Sequence, residues 1–322
     1  MTTGRGIGEV GLFPPDADCP PPDPRPRRPK FAVPAGACDS HAHVIGPARL
    51  YPFVPDRSYT PPDALLPAYL EVVRTLGLKR SVIVQPSMHG TDNSAILDAI
   101  ESAGPDGPEF RAVVVVAPET TEAEYLELHR RGVRGLRLNM VYLGGGAALD
   151  QAEHFAARIR DLGWHLQILC DVSTAGPAIS GLDGLGVPIV FDHFGHLDAR
   201  MGPSDPGFRG LLDMVRAGNT WVKISGAYRL THEDFPYDDV RPFAETLLAL
   251  APERLVWGTD WPHTVCRVPM PNDGELLDLL ASWTSDETIL RRILVDNPAQ
   301  LYGFQDSAAP AARGAGSAAP VT

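Results

Sequence analysis

The sequence predicts an α/β protein folded as a (β/α)8 TIM barrel, and three observations lead there. Short β-branched runs alternate with segments of helical period about eight times along the chain, the pattern of a parallel sheet covered by helices. A His-x-His pair, His41 and His43, follows the first run, and an isolated aspartate, Asp260, follows the last. In a closed barrel the first and last strands are neighbours and their carboxyl ends meet at one site. Residues two apart in a strand point to the same face, so both imidazoles project together.

The expected strands, each bounded by Gly, Pro or Asp, are 37–41, 80–85, 111–117, 135–139, 165–170, 189–192, 220–225 and 255–258. The intervening helices include 62–76, 91–102, 121–131, 150–162, 238–250 and 286–294. Eight such units favour closure over an open doubly wound sheet, and no Gly-x-Gly-x-x-Gly follows the first strand. Gly144, Gly145 and Gly146 read as a flexible loop rather than a phosphate cradle. The ends are separate: residues 1–35 form a proline-rich arm, 36–305 the barrel domain and 306–322 an Ala/Gly/Ser/Pro-rich disordered tail. The arm reads as an extended spacer laid over the barrel, with a ligand for a proline-binding partner as the alternative.

Composition narrows the function classes. With 322 residues and 44% hydrophobic content the chain can bury one large core. A net charge of −12 argues against nucleic-acid binding and requires local arginines for any anionic substrate. No apolar run is long enough to span a bilayer, and the first residues lack the basic-then-apolar pattern of a leader. Four scattered cysteines, Cys19, Cys38, Cys170 and Cys266, suit reduced thiols, so a cytoplasmic location is expected.

Polar residues gather after the strands, where barrel loops build a catalytic face. These are His41 and His43, then Gln85, Ser87 and His89, then Arg134, Arg137 and Asn139. Asp192, His193 and His196 follow, then Lys223, Ser225, Tyr228 and Arg229, and last Asp260 with His263. Strand interiors read as apolar. Each candidate also has a plainer reading: His41 and His43 as a turn and a packed histidine, His193 as a loop hydrogen-bonding group, Arg134 and Arg137 as paired charges of the barrel wall. His129, His154, His165 and His232 read as structural.

The motifs together resemble a known family. His-x-His after the first strand, Asp192-His-Phe-Gly195, Gly258-Thr-Asp-Trp-Pro-His263 and the terminal Asn297-Pro-Ala-Gln-Leu-Tyr-Gly-Phe304 are similar to the amidohydrolase superfamily. The branch resembled is the lactone hydrolases typified by 2-pyrone-4,6-dicarboxylate lactonase. The resemblance covers about residues 31–304 and implies a distorted form of the barrel and water-driven opening of a lactone ring. By motif, His41, His43, His193 and Asp260 match the catalytic core. Tyr59, Ser87, Arg134 and Arg229 match positions that hold substrate oxygens and carboxylates, and Arg137 is expected beside them.

One departure bears on metal. Strand four presents Arg137 and Asn139 where metal-dependent members carry a lysine or glutamate, and strand five has only His165, at the wrong end, with Gln167 inside. A binuclear site therefore lacks its bridging ligand. The resembled lactonase works without metal while some relatives bind zinc. The expectation is no cofactor, with one zinc ion on His41, His43, Asp260 and His193 as the alternative. In the expected mechanism Asp260 takes a proton from water, and His41, His43 and His193 donate to the oxyanion. The expected partner is a small anionic lactone from aromatic-compound breakdown, with a sulfomuconolactone or sugar-acid lactone as variants; a homo-oligomer is left open. The rival classes are a metal-dependent decarboxylase or hydratase of the same superfamily and a catalytically silent binding barrel.

Overall fold

The computed structural model describes residues 19–104, 107–142 and 149–305. The expected tail, the three glycines at 144–146 and the first half of the arm lie outside the described residues. Eight parallel strands follow one another in sequential order. They are β1 (Cys38–Ala42), β2 (Arg80–Val84), β3 (Glu109–Val114) and β4 (Val133–Asn139), then β5 (His165–Leu169), β6 (Ile189–Phe191), β7 (Thr220–Lys223) and β8 (Leu255–Val256). The edge between β8 and β1 closes through backbone bonds between β1 and the segment just past β8. Ser40 N–H donates to Trp257 O at 2.9 Å, Asp260 N–H to His41 O at 2.7 Å and His43 N–H to Trp261 O at 2.8 Å.

The helices are α1 (Leu66–Leu76), α2 (Ser94–Ser102), α3 (Glu122–Arg130), α4 (Ala152–Ile159), α5 (Val172–Ile179) and α6 (Pro206–Ala217). After them come α7 (Ala227–Leu230), α8 (Arg241–Leu250), α9 (Asp273–Trp283), α10 (Glu287–Arg291) and α11 (Asn297–Tyr302). Five of these, α5, α6, α7, α9 and α11, go beyond the sequence reading. A Gly-Pro pair inside α5 and Pro-Gly at the start of α6 read as breakers. Caps override them: Asp171 accepts from Ser173 N–H, and Asp205 from Gly207 and Phe208 N–H. The ends of β2, β5, β6 and β7 come one or two residues early, because Gln85, Cys170, Asp192 and Ser225 already belong to loops. No helix among the described residues is long and apolar enough to cross a membrane.

Alternation along the strands sorts the core into two parts. Ile83, Ala112, Leu136, Leu138, Ile168, Phe191 and Val222 face the helices and join the main apolar cluster. Cys38, Val82, Val84, Val113, Val190, Trp221 and Val256 form a second cluster with Leu301, Tyr302 and Phe304. The chain's C-terminal segment therefore plugs the amino end of the barrel. Arg111 donates to the carbonyls of Tyr302 and Gly303 and stacks over Phe304 at 4.7 Å. The terminal Asn-Pro-Ala-Gln-Leu-Tyr-Gly-Phe motif thus serves the floor of the barrel. The expected apolar interior is corrected above that floor, where the buried layer is polar: Arg137, Gln167, Asp192 and Lys223.

From residue 19 the arm runs over the start of α9. Asn272, which caps α9 through Gly274 N–H, also accepts from Arg27 N–H at 2.9 Å and donates to Asp23 and to Arg25 O. Lys30 N–H donates to Asp278 at 2.7 Å.

Candidate active site

Four residues from three elements converge at the carboxyl end of the barrel. His41 lies in β1 and His43 one residue beyond it, His193 in the turn after β6 and Asp260 in the loop after β8. The rings of His41 and His43 stand edge to face at 5.0 Å, and His41 and His193 lie 4.7 Å apart. Asp260 Oδ1 is 3.8 Å from His41 Nε2 and 3.7 Å from His43 Nε2, and Oδ2 is 3.8 Å from His193 Nε2. All four side chains are buried.

The backbone is bent to make this fit. His193 and Asp260 have φ of 50° and 62°, left-handed values that cost a non-glycine residue about 1 kcal/mol or more. Two glycines clear the space. A Cβ on Gly226, itself at φ +63°, would come within 2.7 Å of His193 Nδ1, and one on Gly258 within 2.5 Å of His41 N. Asp39 ties β1 to the segment after β8 and to α1: its Oδ1 accepts from His41 N–H and Thr259 N–H, and its Oδ2 from Tyr69 and Thr259 hydroxyls.

Asp260 is gripped unevenly. Its Oδ2 accepts from Tyr228 hydroxyl at 2.6 Å and from Arg229 Nε at 2.5 Å, while Oδ1 is buried with no hydrogen-bond partner. Burial alone would raise its pKa; Arg229 above all, then His193, outweighs burial and holds the carboxyl well below the usual range. Burial keeps the histidines neutral, pushing His193 down to about 4 and His41 well below its ordinary value. His43 donates from Nδ1 to the carbonyl of Val84 at 2.8 Å, and a carbonyl only accepts. Neutral His43 therefore presents a lone pair at Nε2. The expectation that it donates to an oxyanion is corrected by this contact.

A cavity of about 10 Å³ lies against this cluster, lined by His43, His193, Tyr59, Arg137, Tyr142 and Arg229 among others. It shares Tyr142, His196 and Arg229 with an outer cavity of about 410 Å³ that also reaches Arg200 and Arg267. The outer volume is in the range of small-molecule sites. Tyr59 and Ser87 sit together, with Ser87 Oγ 3.4 Å from the Tyr59 hydroxyl. Arg137 donates to Gln85 O and Asp192, and its Nε is buried without a partner. Arg229 also donates from Nη1 to Thr264 O and to the Tyr142 hydroxyl.

Arg134 is elsewhere, and its assignment to substrate is corrected. It lies near the amino end of β4, where its Nη1 donates to His129 O at 3.0 Å and Val133 O at 2.7 Å, and its Nε lies near Gly303 of the plug. Arg137 and Arg134 lie three residues apart within β4, and strand phase puts one inside the barrel and the other on its wall. The sequence placed Asp192, Lys223 and Tyr228 at the catalytic face without giving them a role, and Tyr142 carried no signal there. Lys223 shares the face of Trp221 in β7, so period-two alternation marked it as an inward charge.

His41, His43 and Asp260 offer ligand atoms within 4.8 Å of one another, and so do His41, Asp192 and His193. With His41 Nε2 and Asp260 Oδ1 both lacking partners, the first set fits one divalent cation by distance.

The family model described as "Amidohydrolase" matches residues 38–304. The chain is 40% identical over 283 residues to a 4-sulfomuconolactone hydrolase of Rhizobium radiobacter, covering 85% of this chain and 92% of that one. It is 37% identical over 287 residues to a 2-pyrone-4,6-dicarboxylate hydrolase of Comamonas testosteroni, covering 86% and 93%. Among solved structures, a putative 2-pyrone-4,6-dicarboxylic acid hydrolase from Pseudomonas putida superposes with a TM-score of 0.72 at 33% identity, covering 84% and 98%.

Proposed function

The chain belongs to the amidohydrolase family, and from that premise we propose that it hydrolyses the ring ester of a small anionic lactone in the breakdown of aromatic compounds. The observation that carries the reading is the uneven grip on Asp260. One carboxylate oxygen is anchored by Tyr228 and Arg229, and the other is ionised, buried and unpartnered beside two imidazoles. Such a group is set to take a proton from a water in that gap.

The steps follow from the groups. Water directs its two protons to Asp260 Oδ1 and the bare Nε2 of His43, which fixes its lone pair toward the lactone carbonyl carbon. The new C–O bond forms as one proton passes to Asp260. Arg137, whose buried Nε lacks a protein partner, and the remaining imidazole donors stabilise the oxyanion at about 3 kcal/mol per preorganised donor. The acyl C–O bond of the ring then breaks, and the proton returns from Asp260 to the departing ring oxygen. Arg229, which lines both cavities, and Tyr59, which lines the inner one with Ser87 behind it, receive the anionic substituents.

A divalent ion on His41, His43 and Asp260 would polarise the carbonyl and lower the pKa of water. The site's own cations, Arg137, Lys223 and Arg229, already face Asp192 and Asp260, so we propose that the reaction runs without one. Elemental analysis is expected to find well under one metal ion per chain, with activity surviving prolonged chelation. Inactivation by a chelator, reversed by zinc, would overturn that point.

The substrate class is tested with 4-sulfomuconolactone, 2-pyrone-4,6-dicarboxylate and a neutral lactone, following acid release. Turnover of an anionic lactone far above the neutral one is expected. No turnover of any, or equal rates on charged and neutral rings, contradicts the proposal.

A further inference from the structure

Inside the barrel, one layer below the reacting groups, stands a fully buried lysine. The ammonium of Lys223 has three protons and no lone pair, and three acceptors surround it. Gln167 Oε1 lies at 2.7 Å, His41 Nδ1 at 3.2 Å and Asp192 Oδ1 at 3.5 Å. The amide of Gln167 is oriented without ambiguity, because its Nε2 donates to Asp192 Oδ2 at 3.0 Å and leaves Oε1 to the lysine. His41 Nδ1 lies 3.2 Å from the ammonium, which cannot accept, and 3.2 Å from Asp192 Oδ1, which cannot donate; where the ammonium is the partner, that nitrogen offers a lone pair. A neutral imidazole has one N–H, and in His41 that places it on Nε2. His43 is the reverse, with its N–H on Nδ1 against the Val84 carbonyl.

We propose that Lys223 is a positioning residue that gives the two histidines opposite polarity, His41 a donor and His43 an acceptor at Nε2, so that the space between them and Asp260 is a cradle for the attacking water rather than a metal site. The inference deepens the lactone-hydrolase reading and rests on it. Asp260 Oδ1 and His43 Nε2 take the two protons of the water, and His41 Nε2–H, which has no protein partner, donates to the carbonyl oxygen as it gains charge. A metal needs bare nitrogens from both histidines, and the tautomer held by Lys223 withholds one. Without the ammonium, His41 would place its proton on Nδ1, toward Asp192 Oδ1 at 3.2 Å, and present Nε2 in the manner of a carboxylate-backed ligand histidine.

The tautomers are read directly by long-range proton–nitrogen correlation spectra of the full chain labelled with 15N-histidine. Signals are assigned by their loss in His41→Gln and His43→Gln. In the wild type His41 is expected to be protonated on Nε2 and His43 on Nδ1. In Lys223→Met, His41 switches to Nδ1–H, His43 does not change, and zinc titrated into the metal-free protein binds at least tenfold more tightly than to wild type. A wild-type His41 protonated on Nδ1 overturns the proposal, and so does a Lys223→Met variant whose His41 fails to switch. The wild-type spectrum decides even where the variant does not fold. Lactone turnover by the same sample is a separate readout: the expected tautomers without any lactone hydrolysis would uphold the role of Lys223 and remove the assigned reaction.

Discussion

Arg229 touches Asp260 and also lines both cavities, so replacing it by methionine separates two jobs. Its Nε meets Asp260 Oδ2 at 2.5 Å, and both side chains are buried. Removing one partner of such a pair typically costs about 3–5 kcal/mol, because the remaining charge is left buried and unmatched. Here the remaining charge has an escape. Burial favours the protonated carboxyl, and Arg229 is the strongest of the groups that oppose it. In Arg229→Met, Asp260 therefore holds its proton to a higher pH, and a protonated carboxyl cannot accept one from water. We expect kcat/KM on 4-sulfomuconolactone near neutral pH to fall about a hundredfold, corresponding to about 3 kcal/mol. The loss should shrink as pH rises, since the ionised fraction of Asp260 grows with pH. Initial rates between about pH 5.5 and 9, corrected for spontaneous hydrolysis, measure this. A loss of the same size at every pH, carried wholly by KM, would show that Arg229 only clamps substrate and would refute the reasoning.

Arg137→Met should lower kcat/KM on an anionic lactone ten- to a hundredfold, as expected for a charge-assisted donor worth about 1.5–3 kcal/mol, whereas Arg134→Met should leave kinetics nearly unchanged and lower the melting temperature instead. Equal kinetic losses would contradict the placement of these two arginines at opposite ends of β4. Acid should destabilise the fold through two histidines held neutral: burial pushes His165, inside the barrel, and His196, on the wall of the outer cavity, down to about 3. As pH falls through the ordinary value of 6.5, the unfolded chain binds protons that the folded chain refuses. Stability is therefore lost from about pH 6.5 downward, at up to roughly 1.4 kcal/mol per pH unit for each group. His165→Phe, which keeps the ring against Tyr302, should flatten the fall in melting temperature between pH 6 and 4; parallel curves would count against this account.

The eight-strand barrel was legible because closure, parallel order and loop placement all follow from a coarse alternation of runs. So was the meeting of His41, His43 and Asp260, since spacing two in a strand and the first-to-last closure of a barrel are geometric. Roles were less legible than positions. Whether His43 gives or accepts a hydrogen bond depends on the Val84 carbonyl, one strand away, and no pattern within β1 encodes it. Arg134 and Arg137 differ by three positions in one strand, an odd offset that puts them on opposite faces, and the side of the barrel depends on register with β3, which shifts there. Lys223, Gln167 and Asp192 were each visible as polar residues in or after strands. Their union around His41 is a contact between three strands that local propensity cannot report. The helices α5, α6 and α9 were hidden by Gly and Pro whose cost the aspartate and asparagine caps and tertiary packing override.

The most direct test of the central claim is the turnover number of Asp260→Asn on an anionic lactone that the wild type hydrolyses, measured on protein with unchanged circular dichroism and melting behaviour. The amide is nearly isosteric, and its oxygen remains able to meet Tyr228, but it cannot take a proton from water. The account predicts a fall in kcat of about three decades or more, with KM little changed. A variant that keeps more than about a tenth of the wild-type kcat would contradict it, because the proton would then have another acceptor and the buried, half-gripped carboxylate would not be the base.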